Sequence, residues 1–81
     1  MVKLHFSDGK SVGGSVNEGI FGGDIEFTCL LPDGFMMGVP THFIVPLNRK
    51  YAVFDIRLFK QEFVGEQGDR ALTLHTCTMP A

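Results

Sequence analysis

The run Tyr51–Val64, YAVFDIRLFKQEFV, decides the fold. Up to Leu58 it alternates strictly, with Ala52, Phe54, Ile56 and Leu58 on one side and Tyr51, Val53, Asp55 and Arg57 on the other. Past Leu58 the apolar set changes parity and continues as Phe59 and Phe63. Two readings compete. A β-bulge near Leu58-Phe59 would exchange the faces while the strand continues. A short helix over residues 56–64 would instead align Ile56, Phe59 and Phe63 at i, i+3, i+7. The run opens on β-branched and aromatic residues, which suit a pleated surface better than a helix, so a bent strand is the preferred reading.

Working outward, the same period of two recurs. Val2, Leu4 and Phe6 alternate with Lys3, His5 and Ser7, and SDGK behind them is an Asp-Gly turn signal. SVGGSV is the natural hairpin partner, with Gly13-Gly14 marking a weak point or a bulge. In DIEFTCLL, Ile25, Phe27, Cys29 and Leu31 share a face, and Pro32-Asp33-Gly34 ends it. FMMGVPTHFIVPL holds its phase from Phe35 to Leu47, but Pro40 and Pro46 predict an edge strand, or two short strands bent at Pro40. Leu47-Asn48-Arg49-Lys50 reads as a turn into YAVFDIRLFKQEFV. The loop 65–69 returns the chain into RALTLHTCTM, where Leu72, Leu74, Thr76 and Thr78 form one face and Thr73, His75 and Cys77 the other. The threonines point to a strand exposed on at least one side. The expected architecture is all-β: a small antiparallel meander of five to six strands, as a curled sheet or small barrel, with a short helix at 56–64 the alternative.

The chain's 81 residues make one small domain, 1–81, of a size where a single core is only marginally sufficient. Yet 44% of residues are hydrophobic, eight of them Phe, an apolar surplus that points to a subunit interface. Net charge is −2, with no polybasic run, which argues against nucleic acid as a partner. No stretch approaches a membrane span. Cys29 and Cys77 form no CxxC, and the N-terminus is an alternating strand with no apolar leader core. Reduced thiols in the cytoplasm are the expectation.

Sequence DGKSVGGSVNEGIFGGD, residues 8–24, holds six of the ten glycines and tests the chemistry. Gly9-Lys10-Ser11 matches the end of a phosphate-binding loop. That motif needs a glycine where Leu4 stands and a helix after Ser11, and neither is present. Gly19, Gly22 and Gly23 have the wrong spacing for GxGxxG. The glycines therefore read as turns. His5, His42 and His75 are scattered, so no metal site and no cofactor is expected. His75 and Cys77 share a face, as a Cys-His pair would, but a thiol beside a surface histidine is the simpler reading. No nucleophile elbow occurs, and Glu26 and Asp55 are unplaced acids, so the balance is against an enzyme.

The most informative constellation is Asp55 with Arg57, a charged pair on the face shared with Tyr51. With Phe59 and His75, these residues make up the candidate ligand-binding or interface set. Two functions are consistent with them. The first is a non-catalytic cytoplasmic interaction domain that self-associates through apolar strands, a homo-oligomer presenting a surface to a protein partner. The alternative is a small-ligand binding protein for an anionic metabolite or nucleotide, with a Phe/Met-lined pocket and Arg57 and Asp55 as polar anchors.

Overall fold

The computed structural model describes residues 1–17, 22–65 and 70–81. Six strands run along them: β1 (Val2–Phe6), β2 (Ser11–Val16), β3 (Asp24–Leu31), β4 (Pro40–Leu47), β5 (Lys50–Val64) and β6 (Arg70–Pro80). Every pairing is antiparallel, and the sheet closes on itself in the order β1-β2-β3-β6-β5-β4. Two three-strand meanders, β1-β2-β3 and β4-β5-β6, are joined along β1–β4 and β3–β6 into one small barrel. The described residues contain no helix: 56–64 is strand, and the change of parity there is a bulge. The expected 65–69 loop lies, past Gly65, outside the described residues, as does Gly19.

Period-two alternation sends one parity of each strand inward. Leu4, Phe27, Leu31, Phe43, Leu72 and Leu74 are fully buried there, and the Phe27 and Phe43 rings meet at a centroid distance of 5.3 Å. Each such side chain contributes roughly 1.5–3 kcal/mol through removal from water. The Phe27 ring needs room from β2. A Cβ on Gly14 would overlap the Phe27 ring tip, the Thr28 carbonyl and the Cys29 side chain. Gly14 is therefore a close-approach residue in an unbulged strand, paired with Val2.

Asp8-Gly9 makes the β1–β2 turn: the Lys10 N–H donates to Asp8 Oδ1 at 3.0 Å and Gly9 takes a φ of 89°. Lys10 Nζ reaches the Asp8 carboxylate at 3.7 Å and the Met36 carbonyl, and β2 follows at once. Of the glycine-rich stretch, Gly9 is turn chemistry, while Gly13 and Gly14 lie within β2. At the β4–β5 hairpin, Asn48 and Arg49 both take positive φ, 32° and 70°, as a two-residue turn matched to strand twist requires.

One expectation is corrected. β4 is not an edge strand, since it pairs β1 on one side and β5 on the other. Its prolines are tolerated by position: Pro40 is the first residue of the strand, and Pro46 lies beyond Ile44, the last β4 residue that β1 pairs. Residues 35–39 are not strand. β6 is exposed on one side, at His75, as expected, and its Thr76 and Thr78 are buried on the other. Their hydroxyls are satisfied there: Thr78 Oγ1 accepts from the Gly22 N–H at 2.9 Å, and Thr76 donates to carbonyls of the β5 bulge.

Candidate functional surface

At the bulge, Arg57 pairs Cys77 and Phe59 pairs Thr76, leaving Leu58 as the extra residue. Leu58 takes a φ of 41° and is 88% exposed, a conformation costly for a γ-branched side chain. One hydroxyl holds it. Thr76 Oγ1 lies 2.9 Å from the Arg57 carbonyl, 3.1 Å from that of Leu58 and 3.0 Å from that of Cys77, so three acceptors share one proton.

The bulge divides the five candidate residues. Tyr51, Asp55 and Arg57 stand on the outer face of β5; Phe59 falls on the inward parity, opposite Thr76. Across the outer face Tyr51 pairs Pro46, Val53 pairs Ile44, and Asp55 lies between His42 and Met79. Tyr51 (74% exposed), Val53 and Met79 form an apolar outer surface there. Asp55 and Arg57 form no ion pair, the described ones joining Lys10–Asp8, Lys60–Glu62 and His75–Glu26. His42 stacks on His5 at 4.7 Å with 8° between the rings. Thr41 Oγ1 donates to the His5 carbonyl (3.1 Å) and lies 2.9 Å from His42 Nδ1, which places the His42 proton on Nδ1. Burial first, then the neighbouring His42 and Lys3, lowers the His5 pKa, and His5 Nε2 is buried without a hydrogen bond.

His75 and Phe59 belong to a different place. They line an open groove of about 700 Å³ with Asp24, Glu26, Lys60 and Cys77, where β3, β6 and β5 lie side by side. The register makes two rows across these strands, Asp24–Cys77–Arg57 and Glu26–His75–Lys60. Each row runs from an acid to a base. His75 Nε2 is 3.6 Å from Glu26 Oε2, while Glu26 Oε1 accepts from Asn17. The Cys77 thiol donates to Asp24 Oδ1 at 2.7 Å, and that bond, with burial and the carboxylate charge, raises its pKa. Cys29, facing inward, is pushed up to about 11 by burial. His75 and Cys77 each turn to an acid of β3, so they do not work as a Cys-His pair, and neither thiol is primed as a thiolate. Among the described residues no group of three metal-ligating side chains converges.

A second groove, of about 500 Å³, lies between the 33–37 segment and the far end of β5. Phe35, Met36, Met37 and Phe63 line it with Asp33 and Arg70. The Arg70 guanidinium donates to the Phe35 carbonyl at 3.0 Å and sits 5.4 Å from the Phe63 ring centroid. The sequence pattern did not bring Arg70 to Phe63, because the two meet only through the β5–β6 register. Lys60 was missed for the same reason. No family model matches this chain, and no curated protein or solved structure is significantly similar to it.

Proposed function

We propose that this chain is a non-catalytic interaction domain that self-associates through its apolar strands, β5 above all. One observation carries the reading. β5 runs for 15 residues but pairs β4 only from Lys50 to Asp55, and every residue from Arg57 to Val64 is exposed. Leu58, Phe59, Phe63 and Val64 are thereby held outside the core cluster, as an apolar surface awaiting a cover. The unprimed thiols favour binding over catalysis. We propose the cytoplasm as its compartment, where the free thiols Cys29 and Cys77 would stay reduced. Light scattering over a dilution series tests the proposal. The expected mass exceeds one chain and falls towards it on dilution; a single-chain mass throughout the micromolar range overturns it.

The second reading is a small-ligand binder, favoured by the groove at Arg70. Arg70 and Asp33, and not Arg57 and Asp55, are then the polar anchors of the Phe/Met wall. Inorganic phosphate and nucleoside phosphates are the probes: a rise in melting temperature that Arg70→Ala removes would favour this reading, and no rise would leave it unsupported.

A further inference from the structure

Among the described residues, the far half of β5 has one open hydrogen-bonding edge, and backbone phase shows which residues present it. The Ala81 N–H donates to the Val53 carbonyl at 3.0 Å, so Val53, Asp55 and Arg57 turn their backbone groups towards β6. The Thr78 N–H donates to Gly23 on the other side of β6, which independently assigns the odd residues of β6 to β5. The extra residue at Leu58 then shifts the alternation. Lys60, Glu62 and Val64 stand opposite His75, Thr73 and Ala71 and take over the bonds to β6. Phe59, Gln61 and Phe63 are left with N–H and C=O groups on the side where β4 has already ended.

Read from its centre, LFKQEFV is chemically self-complementary. If Gln61 faces Gln61 of a second antiparallel strand, Lys60 faces Glu62, Phe59 faces Phe63 and Leu58 faces Val64. Opposite charges meet, aromatics meet and aliphatics meet, each on its own face of the sheet. Moving the two-fold axis to residue 60 or 62 sets Lys60 against Lys60, or Glu62 against Glu62. Only the Gln61 centre combines charge complementarity with the edge groups that are open.

We propose that two copies of this chain pair antiparallel along the open edge of β5, with the two-fold axis at Gln61. This deepens the self-association proposed above and rests on it. Phe59, Gln61 and Phe63 of each copy exchange about six backbone hydrogen bonds with the other. The Lys60–Glu62 ion pair already present within one chain, at 3.8 Å, becomes a square of four alternating charges. The two barrels then share a continuous sheet, β3-β6-β5-β5-β6-β3, which also places the Phe59 and Phe63 rings of the two copies against each other. This is an isologous contact, closed at two copies.

Charge exchange and cross-linking test it together. Lys60→Glu sets Glu against Glu at two positions and should weaken association about tenfold or more. The double variant Lys60→Glu/Glu62→Lys reverses both partners and should restore it to within about threefold. In a Cys77→Ser background, Gln61→Cys should give a cross-linked dimer on mild oxidation, because bonded antiparallel partners have Cα atoms about 5.5 Å apart, within disulfide range. All three substituted β5 side chains are exposed, so the barrel does not depend on them. A dimer that ignores Lys60→Glu, or that fails to cross-link through residue 61, overturns the edge pairing while self-association stands. A single-chain mass overturns both.

Discussion

Phe27 and Phe63 are the same residue on the inward parity of neighbouring layers of one sheet, yet their environments are opposite. Phe27 is fully buried against Phe43 and over Gly14, while Phe63 is 41% exposed beside Arg70. The difference lies in what continues on each side of the strand. β3 has β2 and β6 as neighbours and sits within the closed barrel. β5 outruns β4, so its last residues have an inner face without a barrel wall opposite. Inward parity buries a side chain only where the sheet closes.

Truncating each ring is the sharpest way to break this comparison. Phe27→Ala should cost about 3–5 kcal/mol, a large share of what so small a domain has. Phe63→Ala should cost about 1 kcal/mol or less in the monomer. Urea denaturation of both variants, at a dilution where the chain is monomeric, reads the two values. Equal losses would mean that the end of β5 belongs to the core after all.

The bulge separates the two regions and gives the next largest effect. Thr76→Val keeps the shape of the side chain but removes the proton shared by the Arg57, Leu58 and Cys77 carbonyls. A loss of about 1–2 kcal/mol is expected, against under about 0.5 kcal/mol for Thr73→Val on the outer face. Amide chemical shifts at Leu58 and Phe59 should move with Thr76→Val and stay put with Thr73→Val. If the two variants match in stability, the hydroxyl is not what holds the bulge.

The smallest effect concerns the closed side, where His5 is packed on His42. The His5 pKa is lowered in the folded chain, chiefly by burial. The unfolded chain therefore takes up a proton first as pH falls, and stability contributed at neutral pH is lost below the ordinary histidine pKa of about 6.5. His5→Asn should flatten the fall in urea midpoint between neutral and mildly acidic pH. An unchanged slope would remove His5 as its source.

Much of the fold was legible because strand alternation is local. Ile25, Phe27 and Leu31, or Leu72 and Leu74, announce a buried face from neighbours two residues away. The parity change after Leu58 was visible too, although a helix fitted the same residues. The prolines of β4 misled, because a missing N–H matters only where a neighbouring strand needs it, and the length of β1 is not written in β4. The threonines of β6 marked a strand with an exposed side, but not that Thr76 and Thr78 lie on the buried one, because the bulge carbonyls and Gly22 that satisfy their hydroxyls come from distant segments. The candidate set was legible only in part: Tyr51, Asp55 and Arg57 share a face as their spacing requires, while Phe59 and His75 join Glu26 and Lys60 through pairing across three strands.

By itself, the order of residues determined that this chain pleats, where it turns, and which side chains travel together, since each depends on contacts within a few residues. Only the closure of β1 on β4 and β3 on β6 decided which inward faces became core and which edge was left open. Those pairings join segments far apart in the chain, and their free energy comes from the whole barrel and not from any one strand.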